Sequence, residues 1–373
     1  MLQQNAGWTK EHAETLELAI AALQEHPDWV GVTPGDVIVS LLSKRSNVVL
    51  LSSKSGKASA VLHLGYGNPR LVTAHMMLTK AGLAVDILAL ASHARDGFPT
   101  NAESGQWPLT SWCAMAYGAA EGGDPTGALI SRLHKLSTSW FEPFRAEIIG
   151  DLPMLAEEPA NSALYPLVTD RRGREVSKHI PSEKLRDLMA LLPRPTGQHA
   201  ERLVTVHGDL YDGNVVRMST DGPQLLIDFE YMSVSCAVHD LAFSCDDLGV
   251  MQDYLQEMLG RAPTTDEVEE LAFESIIAYH IHFYVLREVI WTKSLPHPEG
   301  KSLAEITVML DSYLDHARSL AEVVAVIRAC QALRHAVVEF PAGLEGGGCM
   351  YEKAIFLEKM QALVKASTSD SQS

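Results

Sequence analysis

The sequence predicts an α+β protein with a small sheet-bearing N-terminal lobe and a larger, mainly helical C-terminal lobe. Two observations carry this. Apolar, β-branched runs cluster between residues 37 and 64, whereas apolar residues at helical spacing prevail from Gly127 onward. The chain also has 373 residues, more than one hydrophobic core usually serves. The expected division is an N-terminal lobe over 1–115, a C-terminal lobe over 116–365 and a disordered polar tail over 366–373.

The N-terminal stretch MLQQNAGWTKEHAETLELAIAAL reads as an amphipathic helix. It has no basic segment ahead of an apolar one, so it does not read as a secretory signal. VIVSLL, NVVLLSS and ASAVLHL read as strands, the last two joined by a turn over Ser53–Lys57 that contains Gly56. Arg70 to Lys80 reads as a helix ended by Gly82, and residues 83–90 as a further strand. Gly127–Leu136 is helical, with Leu129, Leu133 and Leu136 on one face. The proline-rich stretches Pro153–Pro166 and Pro193–Pro195 are loops. Thr264-x-x-Glu267 has the form of a capping box. Long helical segments follow it, Glu269–Lys293 and Leu303–Phe340, and Gly346–Gly348 is a break.

Composition excludes several classes. Apolar residues make up 46% and charged residues 21%, ordinary values for a globular protein. No apolar run reaches the roughly 18 residues of a membrane span. Cys113, Cys236, Cys245, Cys330 and Cys349 form no CxxC pair and no zinc-type cluster, so reduced thiols and a cytoplasmic location are expected. The net charge of −17 argues against nucleic acid as a partner and is compatible with a cationic small-molecule substrate. The oligomeric state is not legible.

The chemistry-bearing segment reads VTVHGDLYDGNVVRMSTDGPQLLIDFEYMSVSCAVHDLAF from Val204. Asp209 follows a short apolar strand, Val204–Val206, and Asn214 lies five residues further on. A hairpin with Asp221-Gly222 as its turn signal then delivers Asp228. This pattern suits phosphoryl transfer from ATP. A carboxylate must accept the proton of the acceptor hydroxyl, and oxygen ligands must hold the magnesium that bridges the phosphates. Asp209 suits the first task, while the Asn214 carboxamide and the Asp228 carboxylate suit the second. The hairpin is expected to bring all three to one edge of a small sheet.

His207-Gly208-Asp209-Leu210-x-x-x-x-Asn214, then Ile227-Asp228-Phe229-Glu230-Tyr231, then Asp240 twelve residues beyond Asp228, resembles the motif of aminoglycoside phosphotransferases and choline/ethanolamine kinases. Glu230 after Asp228-Phe229 is more similar to the choline/ethanolamine branch. The resemblance implies a protein-kinase-like two-lobed fold and phosphorylation of a small-molecule hydroxyl with ATP and Mg2+, a choline-like amino alcohol being the first candidate. It implies Asp209 as catalytic base, Asn214 and Asp228 as metal ligands, and Asp240 as a buried acid bracing the catalytic loop, with His207 structural. Ser131–Leu136 resembles the family's Leu-x-x-Leu-His helix, in which the histidine packs structurally. The likeness spans 35–300 and is sharp over 204–247.

The N-terminal lobe departs from that family. The loop Leu42–Asn47 has no glycine, and only Ser46-Asn47 is similar to the family's nucleotide-binding loop. His63 or Leu64 stands where a strand Lys or Arg is expected, and no acid occurs between Arg70 and Val85 to pair with one. Three readings fit: a protonated His63 meets the phosphates; Lys44, Arg45 or Lys57 reaches in from a loop; or the protein binds nucleotide weakly, as a pseudokinase or regulatory protein. For the substrate, Tyr284, Glu288 and Trp291 fall on one helix face, an aromatic–carboxylate set that suits an ammonium group. Glu230, Tyr231 and Asp247 are alternative contacts. An aminoglycoside or another metabolite is the alternative substrate class.

Overall fold

The protein is described here by a computed structural model covering residues 9–42, 47–91, 111–117, 120–145, 182–281, 303–339 and 353–370. In chain order the elements begin with α1 (Lys10–Leu23), β1 (Val37–Leu41), β2 (Val48–Ser53), β3 (Ser59–Leu64), α2 (Pro69–Lys80), β4 (Ile87–Ala91), β5 (Trp112–Ala116), β6 (Ala120–Glu121) and α3 (Gly127–His134). They continue with α4 (Ser182–Leu191), β7 (Leu203–Val206), β8 (Val215–Arg217), β9 (Gln224–Leu226), β10 (Ser233–Cys236), α5 (Val238–Leu241) and α6 (Leu248–Leu259). The last are α7 (Thr265–His280), α8 (Leu303–Arg328), α9 (Gln331–Val338) and α10 (Lys353–Asp370). The chain divides into two compact units. One comprises Met1–Gly123 with Asp212–Glu230, and the other Asp124–Tyr211 with Tyr231–Ser373. The expected α+β class holds: a five-stranded antiparallel sheet in the first unit, a mainly helical second.

The sheet of the first unit has the order β1-β2-β3-β5-β4. Period-two alternation in β2 and β3 sends Val49, Leu51, Ala60, Leu62 and Leu64 to one buried face, where Leu16, Ile20 and Leu23 of α1 cover them. Each buried Val, Leu or Ile among them contributes about 1.5–3 kcal/mol by leaving water. The other face gathers Cys113 of β5, Tyr66 and Val72 of α2. α2 begins where expected because the Asn68 side chain accepts the amides of Arg70 and Leu71, and it stops at Gly82, whose φ is 66°. The interior strand β5, between β3 and β4, is absent from the sequence reading. A second sheet of this unit runs β6-β8-β9, and Leu226 of β9 donates its amide to Leu83 at 2.7 Å.

In the second unit α3 packs on α6 at a glycine. A Cβ on Gly127 would lie 2.4 Å from the Val250 carbonyl oxygen. α7 opens with the predicted capping box: the Thr264 amide donates to Glu267 at 2.7 Å, and the Glu267 amide to the Thr264 hydroxyl at 3.2 Å. From Leu271 to His280 every residue of α7 is buried. Among them is Glu274, whose two oxygens accept Arg328 Nε and Nη2 at 2.7 and 2.6 Å and the Thr196 hydroxyl and amide at 2.8 and 3.2 Å. A buried carboxylate so fully paired pins α7 to α8 and to the loop before β7.

Two expectations need correction. Leu303–Phe340 is two helices rather than one. The chain leaves α8 after Arg328, Cys330 is extended (φ −130°, ψ 108°), and its carbonyl accepts the Leu333 and Arg334 amides that start α9. The side chain of Arg328, held by Glu274, marks where the first helix ends. α10 runs to Asp370, past residue 366, where a polar tail was expected. Pro153–Pro166, the stretch 282–302 and Gly346–Gly348 lie outside the described residues. Among the described residues no helix is long and apolar enough to cross a membrane.

Candidate active site

The first unit carries Asn214 and Asp228, the two residues expected to hold metal. The β8–β9 pairing sets Val215 opposite Leu226, and the Ile227 amide donates to the Asn214 carbonyl at 3.1 Å. Asn214 is therefore opposite Ile227, and Asp228 follows one residue beyond. Asn214 is buried in a short 3-10 turn over Asp212–Asn214, whereas Asp228 is exposed. Among the described residues Asp228 is also the sole non-glycine with positive φ, 62°. Such a conformation costs on the order of 1–3 kcal/mol and persists when its surroundings impose it. A carboxamide oxygen and a carboxylate at one end of a hairpin fit Mg2+, which prefers one or two protein oxygens together with phosphates and water.

The second unit carries the Asp209 loop. β7 leads into His207-Gly208-Asp209, and Asp209 is half-buried. Gly208 has φ 82°, and a Cβ there would meet the Tyr231 carbonyl oxygen at 2.6 Å, so no other residue fits. Asp240, at the heart of α5, is fully buried. Its two oxygens accept the amides of His207 and Gly208, each at 2.8 Å, and the His134 ring at 3.1 Å. The other nitrogen of His134 meets the Tyr254 hydroxyl at 3.0 Å. Burial alone would raise the Asp240 carboxyl; the His134 hydrogen bond, the charges of His134 and His207 and the Gly208 amide outweigh it and hold the pKa below the ordinary value. An ionised Asp240 thus fixes the backbone from which Asp209 projects, and His134 orients Asp240.

One expected arrangement is corrected. β7 does not share a sheet with the hairpin. It pairs with β10, and β8–β9 pair with β6. Residues 209 and 214–228 therefore belong to different sheets and different units. The reason is that Ser233–Cys236 supplies the partner for β7, a strand too short and polar to be seen in the sequence.

The remaining candidates fall as follows. His63 lies on β3, opposite Val48 and Cys113, with its ring 5.1 Å from that of Tyr66. Burial pulls its pKa below the ordinary value, and the Asp228 carboxylate offsets part of this, which leaves a neutral ring at neutral pH. Asn47 is half-buried and its carbonyl accepts the Leu64 amide at 2.8 Å. Lys57 is exposed in the β2–β3 turn. Glu230 is exposed and Tyr231 half-buried. Asp247 caps α6, accepting the Gly249 and Val250 amides at 2.8 and 3.2 Å. Ser46, Tyr284, Glu288 and Trp291, with Lys44 and Arg45, lie outside the described residues. Burial pushes the Cys113 thiol up to about 12 and that of Cys236 to about 11, so neither is a nucleophile.

The sequence reading placed α2 but missed what its side chains do. Its Arg70 is buried, and Nη2 donates to the Glu230 carbonyl at 2.5 Å. Further along, the His75 ring lies 4.9 Å from Phe229. His75 Nε2–H donates to the Val85 carbonyl, so Nδ1 accepts the Tyr66 hydroxyl, both at 3.0 Å. Burial lowers the His75 pKa to about 4, with the Val85 bond and Asp86 offsetting part of the effect. The signal available was the absence of acids from Arg70 to Val85, which leaves no residue of opposite charge to Arg70 on its own helix.

Residues 102–271, which include the whole segment from β7 to α5, match the model of the phosphotransferase enzyme family (APH). No curated protein matches the chain in sequence. Among solved structures, a choline/ethanolamine kinase family protein from Mesorhizobium loti is similar over 87% of this chain and 98% of its own, at 16% identity and a TM-score of 0.39. Choline kinase from Cryptosporidium parvum is similar over 85% and 98%, at 13% identity and a TM-score of 0.46. An aminoglycoside phosphotransferase from Alicyclobacillus acidocaldarius is similar over 88% and 93%, at 11% identity and a TM-score of 0.36. At these values the likenesses say nothing of the substrate.

Proposed function

We propose that this protein transfers the γ-phosphoryl group of ATP to the hydroxyl of a small molecule, with a choline-like amino alcohol as the acceptor class. The carrying observation is the pair Asn214–Asp228, set at one end of the β8–β9 hairpin inside a segment that matches the phosphotransferase family. In this reading Asp209 accepts the hydroxyl proton. The acceptor oxygen forms a bond to the γ-phosphorus as the bond from that phosphorus to the bridging oxygen breaks, leaving ADP and a phosphomonoester. Asn214 and Asp228 would hold magnesium, which would offset the charge of the phosphates. Asp240 and Gly208 keep the Asp209 backbone fixed. An acidic chain of net charge −17 favours a cationic acceptor over a neutral one.

The test is ADP release against a panel of amino alcohols and aminoglycosides with Mg-ATP. Turnover with an amino alcohol that falls by about 10²–10⁴-fold in Asp209→Asn supports the reading. Turnover intact in Asp209→Asn sinks the assignment of the base. An aminoglycoside as the sole acceptor replaces the substrate class and leaves the rest.

A second reading, nucleotide binding without efficient turnover, is favoured by one observation. Where a strand lysine would grip phosphate, this chain presents a histidine kept neutral by burial. A thermal shift with Mg-ATP but no ADP release across the panel would establish that reading in place of the first.

A further inference from the structure

We infer that Arg70 is a positioning residue for the metal ligand Asp228, acting through the Glu230 carbonyl. The inference rests on the reading of Asp228 as a ligand for magnesium. Arg70 stands in the first turn of α2, where the helix dipole disfavours a cation, and no acid occurs in that turn. Its side chain is also buried. Both features work against folding unless the guanidinium has a task, and the bond to the Glu230 carbonyl is one.

Asp228 is held from both sides by other residues' contacts. Before it, the Leu226 amide is bonded to Leu83 and the Ile227 amide to Asn214. After it, Phe229 packs against His75 and the Glu230 carbonyl accepts Arg70, both partners lying on the one rigid helix α2. With its flanks fixed, Asp228 is driven into φ 62°, and that dihedral decides where an exposed carboxylate points. Without Arg70 the Glu230 carbonyl loses this bond, the hold on the peptide after Phe229 weakens, and Asp228 is expected to relax from φ 62°. α2 thus acts on the metal site through the backbone that carries the ligand. A direct role for Arg70 on phosphate fits less well, because the side chain is buried and engaged with Glu230.

The experiment is Mn2+ binding in the presence of ADP, read from the free-ion EPR signal, for the full chain and for Arg70→Met, Arg70→Lys and Asp228→Asn. Arg70→Met is expected to weaken Mn2+ binding by about 10- to 100-fold, as loss of an outer-shell partner does. Arg70→Lys, which keeps one charged donor, is expected to recover part of that. The Mg2+ concentration for half-maximal turnover should rise in parallel, with KM for the acceptor unchanged. Mn2+ binding unaltered in both Arg70 variants, while Asp228→Asn abolishes it, overturns the role of Arg70 and leaves the metal reading standing. Binding unaltered in Asp228→Asn overturns the metal reading itself. If Arg70→Met does not fold, Arg70→Lys decides: an affinity equal to that of the unaltered protein, with no shift in the Mg2+ requirement, refutes the inference.

Discussion

Asp228 and Asp240 lie twelve residues apart and are treated in opposite ways. Asp240 is sealed from solvent and takes three hydrogen bonds on its own carboxylate. Asp228 is exposed, and what is fixed is its backbone: left-handed, with neighbours on each side bonded to Leu83, Asn214 and Arg70. One acid organises structure and spends its lone pairs doing so. The other is oriented through its flanks, and among the described residues its carboxylate takes no such set of bonds, in keeping with the ligand role proposed above. In the proposed reading the contrast separates a brace from a ligand more sharply than either burial or motif alone.

The largest effect should come from the brace. Asp240→Ala strands the His207 and Gly208 amides and the His134 ring in the interior, and removing one partner of a buried ionic network costs about 3–5 kcal/mol. The expected result is a clear fall in the thermal and urea midpoints, with Asp209-dependent turnover lost alongside. A midpoint within about 1 kcal/mol of the unaltered protein would show that Asp240 is not a brace and would dissolve the contrast.

A second prediction concerns pH. The Asp228 flank leans on His75, whose folded pKa is about 4, against an unfolded value near 6.5. Below about 6.5 the unfolded chain binds a proton that the folded chain refuses, so this stability is present above that pH and is lost as pH falls toward about 4. The difference corresponds to about 3 kcal/mol at most. His239, held near 4, and His280, near 3, add losses of the same sign in the other unit. His75→Gln should therefore leave a shallower decline in the melting midpoint between pH 7 and 4.5, not a flat one. An unchanged decline in that variant would mean that His75 titrates normally in the folded protein.

Much of the site was legible because its residues act locally. The run from His207 to Asn214, the hairpin turn, the Thr264 capping box and the Arg70–Gly82 extent of α2 are set by neighbours a few residues away. What stayed hidden depends on distant partners. β5, Trp-Cys-Ala-Met-Ala, has no β-branched residue, and β10, Ser-Val-Ser-Cys, is four residues long; each is a strand because another strand pairs with it. The end of α8 carries no glycine or proline, and Arg328 there is held by a glutamate 54 residues earlier. The bond that holds Arg70 has no local signal, since its partner is 160 residues along the chain.

Gly208→Ala sharpens the contrast from the side of the brace. A Cβ at φ 82° costs about 1–2 kcal/mol by itself, and the Tyr231 carbonyl must also move. A loss of about 2 kcal/mol or more in the urea midpoint is expected. A loss below about 0.5 kcal/mol would show that this loop is looser than the Asp240 bonds imply.

The smallest effect on stability should come from Asp228→Gly, and it tests the contrast most directly. The side chain is exposed, so its removal leaves no cavity and strands no buried donor. Glycine adopts φ 62° without the steric cost that aspartate bears, a relief of about 1–2 kcal/mol. Against this, glycine adds freedom to the unfolded chain, which costs about 0.4–1 kcal/mol. The net lies between about 0 and 1.6 kcal/mol on the stabilising side, so the midpoint should hold or rise slightly. Mn2+ binding and turnover should nonetheless both disappear. Asp240→Ala and Asp228→Gly would then give opposite signatures: a fold that fails, and a sound fold that no longer holds its metal. If Asp228→Gly instead unfolded the protein as readily as Asp240→Ala, the left-handed aspartate would be a second structural acid, and the hairpin would have lost its claim to a metal.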